Sequence, residues 1–358
     1  MGRHARHGTW VRTMVKANVG AGGIGMQRFL ASFILKGFSK RKVGDIGLDE
    51  LDDGADIDGY VFTIDGHTVQ PIFFRGGDIG RLSVCGTVND LSVMGAKPFA
   101  LANSFIVQEG FPDGDLEKII ASMEQALTEA DCALVCGDTK VVEDGIGIFI
   151  TTAGLGIEND ALSNNLGEVR KAREYPSRFI RDAGLRRGDK ILFSGTIADH
   201  GISLMSLREG LEFETELASD CSPVWDVVKA ALEVGGVVAM KDPTRGGVAT
   251  TLNEMAHKSG VGVEIEEEKI PLKREVIAAS EMLGLNVYDV ANEGKVVMGV
   301  MPEYAEDVLE AMRNTKHGKE AAIVGEATNN HTHVLLKTRV GGRRILESPM
   351  GDPVPRVC

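Results

Sequence analysis

Carboxylates follow apolar or glycine-rich stretches at five places in the first half of the chain. They are Asp53 in DDGA, Asp65 after YVFTI, Asp78 after RGG, Asp90 after the run that begins LSVC, and Asp138 after ALVCG. Where strands end at a common crevice, such side chains converge and repel one another unless a cation lies among them. Mg²⁺ and Ca²⁺ require oxygen ligands, and Mg²⁺ joins carboxylates to phosphates. Aspartate is also a common turn residue, but this repeated placement favours a site for a metal and a nucleotide.

The C-terminal segment places a thiol at the end of the chain. It contains PVPRVC at 353–358, and proline fixes φ and removes a backbone donor, so we predict an extended tail near polyproline II. From Glu347 to Cys358 there are 12 residues, which span about 40 Å when extended. This geometry suits a thiol that is delivered into an active site. A disordered terminus that happens to end in cysteine fits the tail equally well.

Two polar turns in the second half also carry side chains suited to chemistry. DPTRGG at 242–247 precedes a predicted helix, and its glycine N–H groups and the helix N-terminus favour anions. Arg245 adds a fork that fits phosphate, so we favour this role over an ordinary helix start. ANEGK at 291–295 offers Glu293 as a candidate base, although an exposed hairpin corner is the better interpretation of this turn alone.

Two further patterns are weak. Gly20, Gly22 and Gly25 match GxGxxG, but no strong strand precedes them, as a dinucleotide fingerprint requires. The sequence contains no GxxxxGK[ST], so it is not a P-loop enzyme. Asp199 and His200 are adjacent, and adjacent residues rarely form a working dyad, so we predict that they begin a helix.

Hydrophobic spacing predicts alternating strands and helices, which places the chain in the α/β or α+β class. The clearest helix covers about 115–130, with Asp113 as its cap. The predicted strands are 60–64, 82–85, 133–135, 146–152, 190–194, 261–266, 295–300 and 333–337, and the other predicted helices are 26–38, one after 200–201, 224–234, 247–258 and 275–283.

Composition narrows the class of protein. The 358 residues exceed one ordinary core and predict two domains. We divide the chain into a leader with a glycine-rich segment at 1–39, domains at 40–160 and 161–345, and a mobile tail at 346–358. The net charge of −13 argues against nucleic-acid binding. Nucleotides remain compatible, because divalent cations can bridge carboxylates to phosphates.

The five cysteines are odd in number and form no CxxC pair, which fits a reducing cytoplasm. Cys132 and Cys136 flank a predicted strand, and we expect them to be small buried hydrophobes. The longest apolar run near the N-terminus, 29–35, is too short and mixed for a signal or a membrane helix. We therefore predict a cytoplasmic protein without membrane association.

The motifs together resemble the HypE family of hydrogenase maturation factors, over about residues 40 to 358. The matching strings are DDGADIDGYVFTIDGH, FFRGGDIGRLSVCGTVNDLSVMGAKP, CGDTKVV, SGTIADHGISLMSLREGL, DPTRGGVATTLNEMA, NEGK and the terminal DPVPRVC. The internal motifs are shared with an ATP-binding superfamily that includes aminoimidazole ribonucleotide synthetase, selenophosphate synthetase and thiamine-monophosphate kinase. The tail selects HypE among them.

The resemblance implies a two-domain fold like that of aminoimidazole ribonucleotide synthetase, with a flexible C-terminal tail. It also implies a homodimer in which strands of the paired N-terminal, ATP-binding domains form a barrel-like interface. ATP and Mg²⁺ are expected among Asp53, Asp65, Asp90 and Asp138, with Asn89 and Thr139 as further nucleotide contacts. Lys140 in GDTKVV matches the family's active-site lysine. Glu293 in NEGK matches an acidic residue that helps to deprotonate the substrate amide.

The reaction that the resemblance implies is ATP-dependent dehydration of a carbamoyl group on Cys358, from S-carboxamide to S-cyanate. Phosphoryl transfer turns the amide oxygen into a good leaving group, and a base then removes the amide protons. The implied partners are the carbamoyltransferase HypF and the HypC–HypD scaffold, whose iron receives the cyanide for [NiFe]-hydrogenase.

Two alternatives stay open at this point. A selenophosphate-synthetase-like enzyme would need a reactive Cys or Sec near the N-terminus, and no cysteine precedes Cys85. A non-catalytic thiol carrier or metallochaperone would use only Cys358. ATP turnover separates the alternatives, because a carrier has no need of the aspartate cluster.

Overall fold

The computed structural model describes residues 23–143, 145, 147–210, 217–351, 353–354 and 356–358. Most of the predicted leader, including Gly20 and Gly22, lies outside these residues. Where the chain is described, no helix has both the length and the apolar character needed to cross a bilayer.

Strands and helices alternate along the chain, as predicted. The helices are α1 (Gly23–Phe29), α2 (Leu35–Gly37), α3 (Ile79–Val93), α4 (Asp113–Ala130), α5 (Asp160–Ala172), α6 (Asp199–Arg208), α7 (Trp225–Val234), α8 (Gly247–Ser259), α9 (Arg274–Leu283) and α10 (Ala305–Arg313). The strands are β1 (Ala55–Ile57), β2 (Tyr60–His67), β3 (Phe73–Phe74), β4 (Gly77–Asp78), β5 (Lys97–Gln108), β6 (Ala133–Val142), β7 (Ile148–Ile157), β8 (Lys190–Phe193), β9 (Val237–Lys241), β10 (Gly262–Glu266), β11 (Val297–Val300), β12 (Ala322–Thr328), β13 (Val334–Lys337) and β14 (Arg343–Ile345).

The first half forms a five-stranded sheet in the order β1-β2-β7-β5-β6. Only β5 and β6 run parallel, and the other neighbours are antiparallel. Helix α3 packs on this sheet against β2 and β7, and α4 packs on α3. Strand β2 alternates buried and exposed residues, so Tyr60, Phe62 and Ile64 present an apolar surface away from the helices.

The second half forms a seven-stranded mixed sheet in the order β14-β13-β10-β12-β8-β11-β9. The predicted strands that became β8, β10, β11 and β13 and the predicted helices that became α6, α7, α8 and α9 are confirmed. Strands β5, β9 and β12 and helices α5 and α10 were not predicted. Asp199 begins α6, as expected.

The run 82–85, predicted to be a strand, lies inside α3, so that prediction is wrong. Asp78 caps this helix, since its Oδ1 accepts hydrogen bonds from the N–H groups of Gly80 (2.7 Å) and Arg81 (3.0 Å). Of the 15 residues of α3, 13 are buried. Without a polar face, nothing in the sequence marks the helical period, and its small and β-branched residues imitate a strand.

Helix α3 joins the two halves of the molecule, because it contributes to both of the apolar clusters that form the core. Leu91 of α3 packs in one cluster with Leu192 of β8. Leu82 of α3 packs in the other with Ile202 of α6. The residues that α3 carries, Asp90 among them, are therefore held between elements of both halves.

The C-terminal tail is docked on the body of the protein. Val354 and Val357 are buried in the second of these clusters. The N–H of Gln70 and the guanidinium of Arg208 both donate to the carbonyl oxygen of Arg356, at 3.1 and 2.7 Å. The prediction of an extended tail is wrong at Arg356, whose φ of 55° is left-handed. The buried valines and the two hydrogen bonds offset a conformational cost of about 1–2 kcal/mol.

Candidate active site

Three aspartates converge at the junction between the two halves. Asp53 lies in the loop before β1, Asp90 lies on α3, and Asp242 directly follows β9. One carboxylate oxygen of each lies within 4.8 Å of the other two. The structure thus brings together two of the four predicted metal ligands, Asp53 and Asp90, and adds Asp242. We call Asp53, Asp90 and Asp242 the trio.

The carboxylates of the trio are fixed by neighbouring side chains. The hydroxyl of Thr63 on β2 donates to the carbonyl oxygen of Asp53 (2.8 Å) and to Oδ2 of Asp90 (2.9 Å). Lys241, the last residue of β9, is ion-paired with Oδ1 of Asp53. The other carboxylate oxygen of Asp53, Oδ2, is buried without a hydrogen-bond partner among the described residues. One oxygen of Asp53 is therefore held by Lys241, while the second is buried and available to a ligand.

The electrostatics of the trio are unfavourable when no cation is present. Burial, together with the charge of Asp242, raises the pKa of Asp90 well above its ordinary value. Burial and the charge of Asp53 raise the pKa of Asp242 to about 8. Burial also raises the pKa of Asp53, against the opposing effect of Lys241. Carboxylates that repel one another in a buried crevice are a suitable oxygen donor set for a hard divalent cation.

Asp65 lies inside β2 rather than after it, and it faces a different partner. Its Oδ2 lies 3.2 Å from Nε2 of the buried His67. Burial raises the pKa of Asp65, but the attraction of His67 and Arg245 outweighs burial and holds this pKa below its usual range. Asp65 is close enough to raise the pKa of both Asp90 and Asp242. It therefore borders the trio without belonging to it.

Glu293 is buried, with 2% of its surface exposed, so the interpretation as an exposed hairpin corner is wrong. Its N–H donates to Oδ1 of Asp220 (3.1 Å), and its carbonyl oxygen accepts from Nδ2 of Asn89 (3.2 Å). Burial and the charges of Asp242 and Asp65 raise its pKa well above the ordinary value. Its Oε1 has no hydrogen-bond partner in the part of the chain that the structure describes. A carboxyl group in this state is a candidate proton carrier.

Asn89 is fully engaged with backbone groups. Besides Glu293, its Nδ2 donates to the carbonyl oxygen of Ser222 (3.1 Å), and its Oδ1 accepts from the N–H of Val224 (2.9 Å). Asn89 thus joins α3 to the loop that precedes α7 and positions Glu293. A direct contact of Asn89 with a nucleotide stays a prediction.

Asp138, Thr139 and Lys140 lie together on β6, and none of them belongs to the trio. They are inside the strand, not after it, and all three are exposed in the single chain. Nζ of Lys140 lies 2.7 Å from Oδ2 of Asp138, and this hydrogen bond lowers the pKa of Asp138. Cys136 on the same strand is also exposed, so the expectation that it is a buried hydrophobe is wrong. Among the described residues, strand β6 pairs only with β5 and forms the edge of the sheet.

Sequence reasoning missed several members of the site. Asp242 was noticed only as part of a helix start, although it follows the apolar strand β9, which was not predicted. Thr63 and His67 lie at alternate buried positions of β2, and this two-residue period was the available signal. Nothing in the local sequence connects Asp220 with Glu293, because their contact depends on the tertiary fold.

Two family models match the chain. AIR synthase related protein, N-terminal domain, matches residues 51–157, and AIR synthase related protein, C-terminal domain, matches residues 186–337. The carbamoyl dehydratase HypE of Bradyrhizobium diazoefficiens is 47% identical over 303 residues, which cover 83% of this chain and 83% of that protein.

Solved structures agree with these matches. The crystal structure of a HypE–HypF complex contains a chain 40% identical to this one, with a TM-score of 0.79, covering 92% of this chain and 100% of that chain. The hydrogenase maturation protein HypE in complex with ATP is 36% identical, with a TM-score of 0.76 and coverage of 96% and 100%.

These similarities confirm the predicted fold, and they favour neither the selenophosphate-synthetase-like alternative nor the non-catalytic carrier. They extend over nearly the whole chain, including the segments that carry Asp53, Asp90, Asp242 and Glu293. The chain therefore belongs to the HypE family of carbamoyl dehydratases, which act in hydrogenase maturation and are built on the AIR-synthase-related fold.

Proposed function

We propose that the protein dehydrates a carbamoyl group on its own Cys358 to a thiocyanate, with ATP and Mg²⁺, and so supplies cyanide for the iron of [NiFe]-hydrogenase. One observation carries the proposal. The carboxylates of Asp53, Asp90 and Asp242 converge within 4.8 Å, and the charge of Asp242 acts on the buried Glu293. A metal–nucleotide site and a candidate proton carrier thus share one crevice.

The residues present fit a magnesium ion. The trio supplies only oxygen donors, which Mg²⁺ prefers, and Oδ2 of Asp53 is left without a protein partner among the described residues. Asp65 borders the trio and stays a proposed ligand, as does Asp138 on β6. Magnesium-bound ATP would supply the phosphoryl group that makes the carboxamide oxygen a leaving group. A HypE homologue is known in complex with ATP.

Glu293 is proposed to take a proton from the carboxamide nitrogen. Its raised pKa favours the protonated form, which cannot accept a proton. Part of this shift comes from the negative charges of Asp242 and Asp65. Once those charges are neutralised, Glu293 can ionise and accept a proton. Asp220 and Asn89 hold the backbone of Glu293 on both sides and so fix the direction of its side chain.

Lys140 is proposed to act on the carboxamide oxygen, with Asp138 and Thr139 beside it. These residues are exposed on β6, the edge strand of the sheet in the part of the chain that the structure describes, and the sheet face carries Tyr60, Phe62 and Ile64. An uncovered apolar sheet face is typical of an association surface. We propose that two copies of the chain pair through this face as a homodimer, and that the second copy covers the exposed residues of β6.

Two partners are proposed for the tail. A HypE homologue forms a complex with HypF, and we propose that this carbamoyltransferase loads Cys358. The HypC–HypD scaffold is proposed to receive the cyanide. We propose the cytoplasm as the location, because the thiol of Cys358 must stay reduced to accept the group.

The metal–nucleotide site can be tested by titration calorimetry with Mg²⁺–ATP. Asp90→Asn and Asp242→Asn each remove one charge from the trio, and we expect each to weaken binding by about tenfold or more. Asp58→Asn is the matched control, because the side chain of Asp58 is 99% exposed. Wild-type affinity in both trio variants would show that ATP binds elsewhere.

A further inference from the structure

His200 connects the docked tail to the loop that holds Glu293. Its ring is fully buried. Nε2 lies 2.8 Å from the carbonyl oxygen of Val357, and Nδ1 lies 2.7 Å from Oγ of Ser219. A carbonyl oxygen can only accept, so Nε2 carries the hydrogen. In the neutral ring, Nδ1 then accepts the hydroxyl hydrogen of Ser219.

The bond from His200 to the carbonyl oxygen of Val357 is buried, unlike two other side-chain hydrogen bonds to the tail. The bond from Arg208 to the carbonyl oxygen of Arg356 is exposed to solvent, and the bond from Thr68 Oγ1 to the carbonyl oxygen of Cys358 (3.2 Å) is partly buried. Water can replace an exposed donor at small cost. It cannot replace Nε2 of His200 while the tail is docked, because the Val357 carbonyl lies against the buried ring.

The other ring nitrogen of His200, Nδ1, contacts Ser219 in the loop that also carries Asp220. Oγ of Ser219 also accepts from the N–H of Cys221 (3.0 Å), which fixes the loop around Asp220. Oδ1 of Asp220 accepts the N–H of Glu293, and its Oδ2 is ion-paired with Lys295 at 3.2 Å. A continuous set of contacts therefore runs from the penultimate residue of the tail to the backbone of Glu293.

We propose that His200 is the positioning residue of the tail: its Nε2–H holds Val357 in the docked state and so sets how often Cys358 is released from the body of the protein. The proposal rests on the proposed function for its consequence. Release exposes the thiol to a carbamoyl donor, whereas docking returns the carbamoylated thiol to the body of the protein, where Glu293 is proposed to act on it. Loss of the His200 bond should therefore slow dehydration without slowing carbamoylation.

The tail position can be measured without any enzymatic chemistry, from the rate at which iodoacetamide alkylates Cys358. The modified C-terminal peptide identifies the site by mass. Cys136 on β6 is exposed in the single chain and lies far along the chain from the tail. None of the variants alters the proposed pairing face, so the alkylation rate of Cys136 should be the same in every sample and serves as an internal reference. ATP and partner proteins are not needed, so failure of the proposed dehydration would leave this result unaffected.

Two variants that differ by one methylene group make the test sharp. His200→Gln extends an amide N–H to the position of Nε2, whereas the side chain of His200→Asn is too short to reach the Val357 carbonyl. A buried carbonyl without its donor shifts an equilibrium by roughly tenfold or more. We expect His200→Asn to raise the alkylation rate of Cys358 by about this factor and His200→Gln to stay near wild type, with Cys136 unchanged in both.

A control and an activity readout complete the experiment. His257→Asn alters an exposed histidine on α8 and should change neither cysteine. In single-turnover assays, His200→Asn should lower the dehydration rate of protein carbamoylated beforehand. Its carbamoylation rate should equal or exceed that of the wild type, and its affinity for Mg²⁺–ATP should stay at the wild-type value. Equal Cys358 alkylation in His200→Asn, His200→Gln and wild type would overturn the proposal. The proposal would also be overturned if the alkylation rate of Cys358 rose as much in His200→Gln as in His200→Asn.

Discussion

At the scale of single residues, Asp242 is buried within a few ångströms of two other carboxylates, and this placement has a consequence for stability. Burial and the charge of Asp53 raise its pKa from 3.8 to about 8. The folded state thus binds this proton more tightly than the unfolded state does. Removing the proton is therefore harder in the folded protein, and the ion-free protein loses stability as the pH rises from about 4 to about 8.

We expect Asp242→Asn to raise the melting temperature of the ion-free protein at pH 8, by an amount equivalent to about 1–3 kcal/mol. The variant should also show a weaker dependence of stability on pH between 5 and 8. Mg²⁺ should stabilise the wild type and not the variant. Thermal unfolding monitored by circular dichroism at several pH values checks this, with Asp58→Asn as control. If Asp242→Asn has the same melting temperature as the wild type at pH 8, the buried carboxylates of the trio do not destabilise the folded protein.

The sequence predicts which residues belong to the site better than it predicts which residues contact them. Asp53 and Asp90 were assigned to the metal site, and the structure brings them together. The contribution of Asp242 was hidden because it required the strand β9 to be recognised. The buried environment of Glu293 was also hidden, because the residues that enclose it come from both halves of the chain.

At the scale of elements, α3 and β6 show where patterns in the sequence mislead. A helix that is buried on nearly every side loses its polar stripe, so α3 was read as a strand. Helix α4 keeps one apolar face, and its predicted range of 115–130 agrees closely with Asp113–Ala130. The first residues of β6 were predicted to form a strand, but the exposure of its side chains was not predicted. An edge strand that awaits a partner has the same composition as a buried one.

The open face of the first sheet leads to a prediction about assembly. Ile64 is 64% exposed on β2, on the sheet face away from α3. We expect Ile64→Glu to convert a dimer into a monomer, because it places a charge in the proposed apolar interface. Light scattering coupled to size-exclusion chromatography measures the change.

Ile120→Glu is the matched control for this experiment. Ile120 is 50% exposed on α4, in the helical layer on the other side of the sheet. The same charge there should leave the oligomeric state unchanged. If both variants keep the mass of the wild type, or if the wild type itself is a monomer, the two copies do not pair through this sheet.

At the scale of the whole molecule, the site and the docked tail are both built from parts of the chain that are distant in sequence. Helix α3 carries Asp90 from the first half, β9 leads to Asp242 in the second half, and the tail docks between residues 68–70 and α6. The reach of the tail could be estimated from its length alone. Its docking could not, because Val354 and Val357 become buried only against residues distant in sequence.

The central claim is that Cys358 carries the group that the crevice dehydrates, and intact-mass spectrometry tests it most directly. Wild-type protein carbamoylated on Cys358 should lose the mass of one water after addition of Mg²⁺–ATP. Glu293→Gln and Lys140→Ala should accept the carbamoyl group and stay at the carboxamide mass. Glu293→Gln lacks the proposed proton acceptor, and Lys140→Ala lacks the proposed contact with the carboxamide oxygen. Cys358→Ala should gain no carbamoyl mass at all. Carbamoylation of Cys358→Ala, or loss of water at the wild-type rate in both Glu293→Gln and Lys140→Ala, would contradict the account.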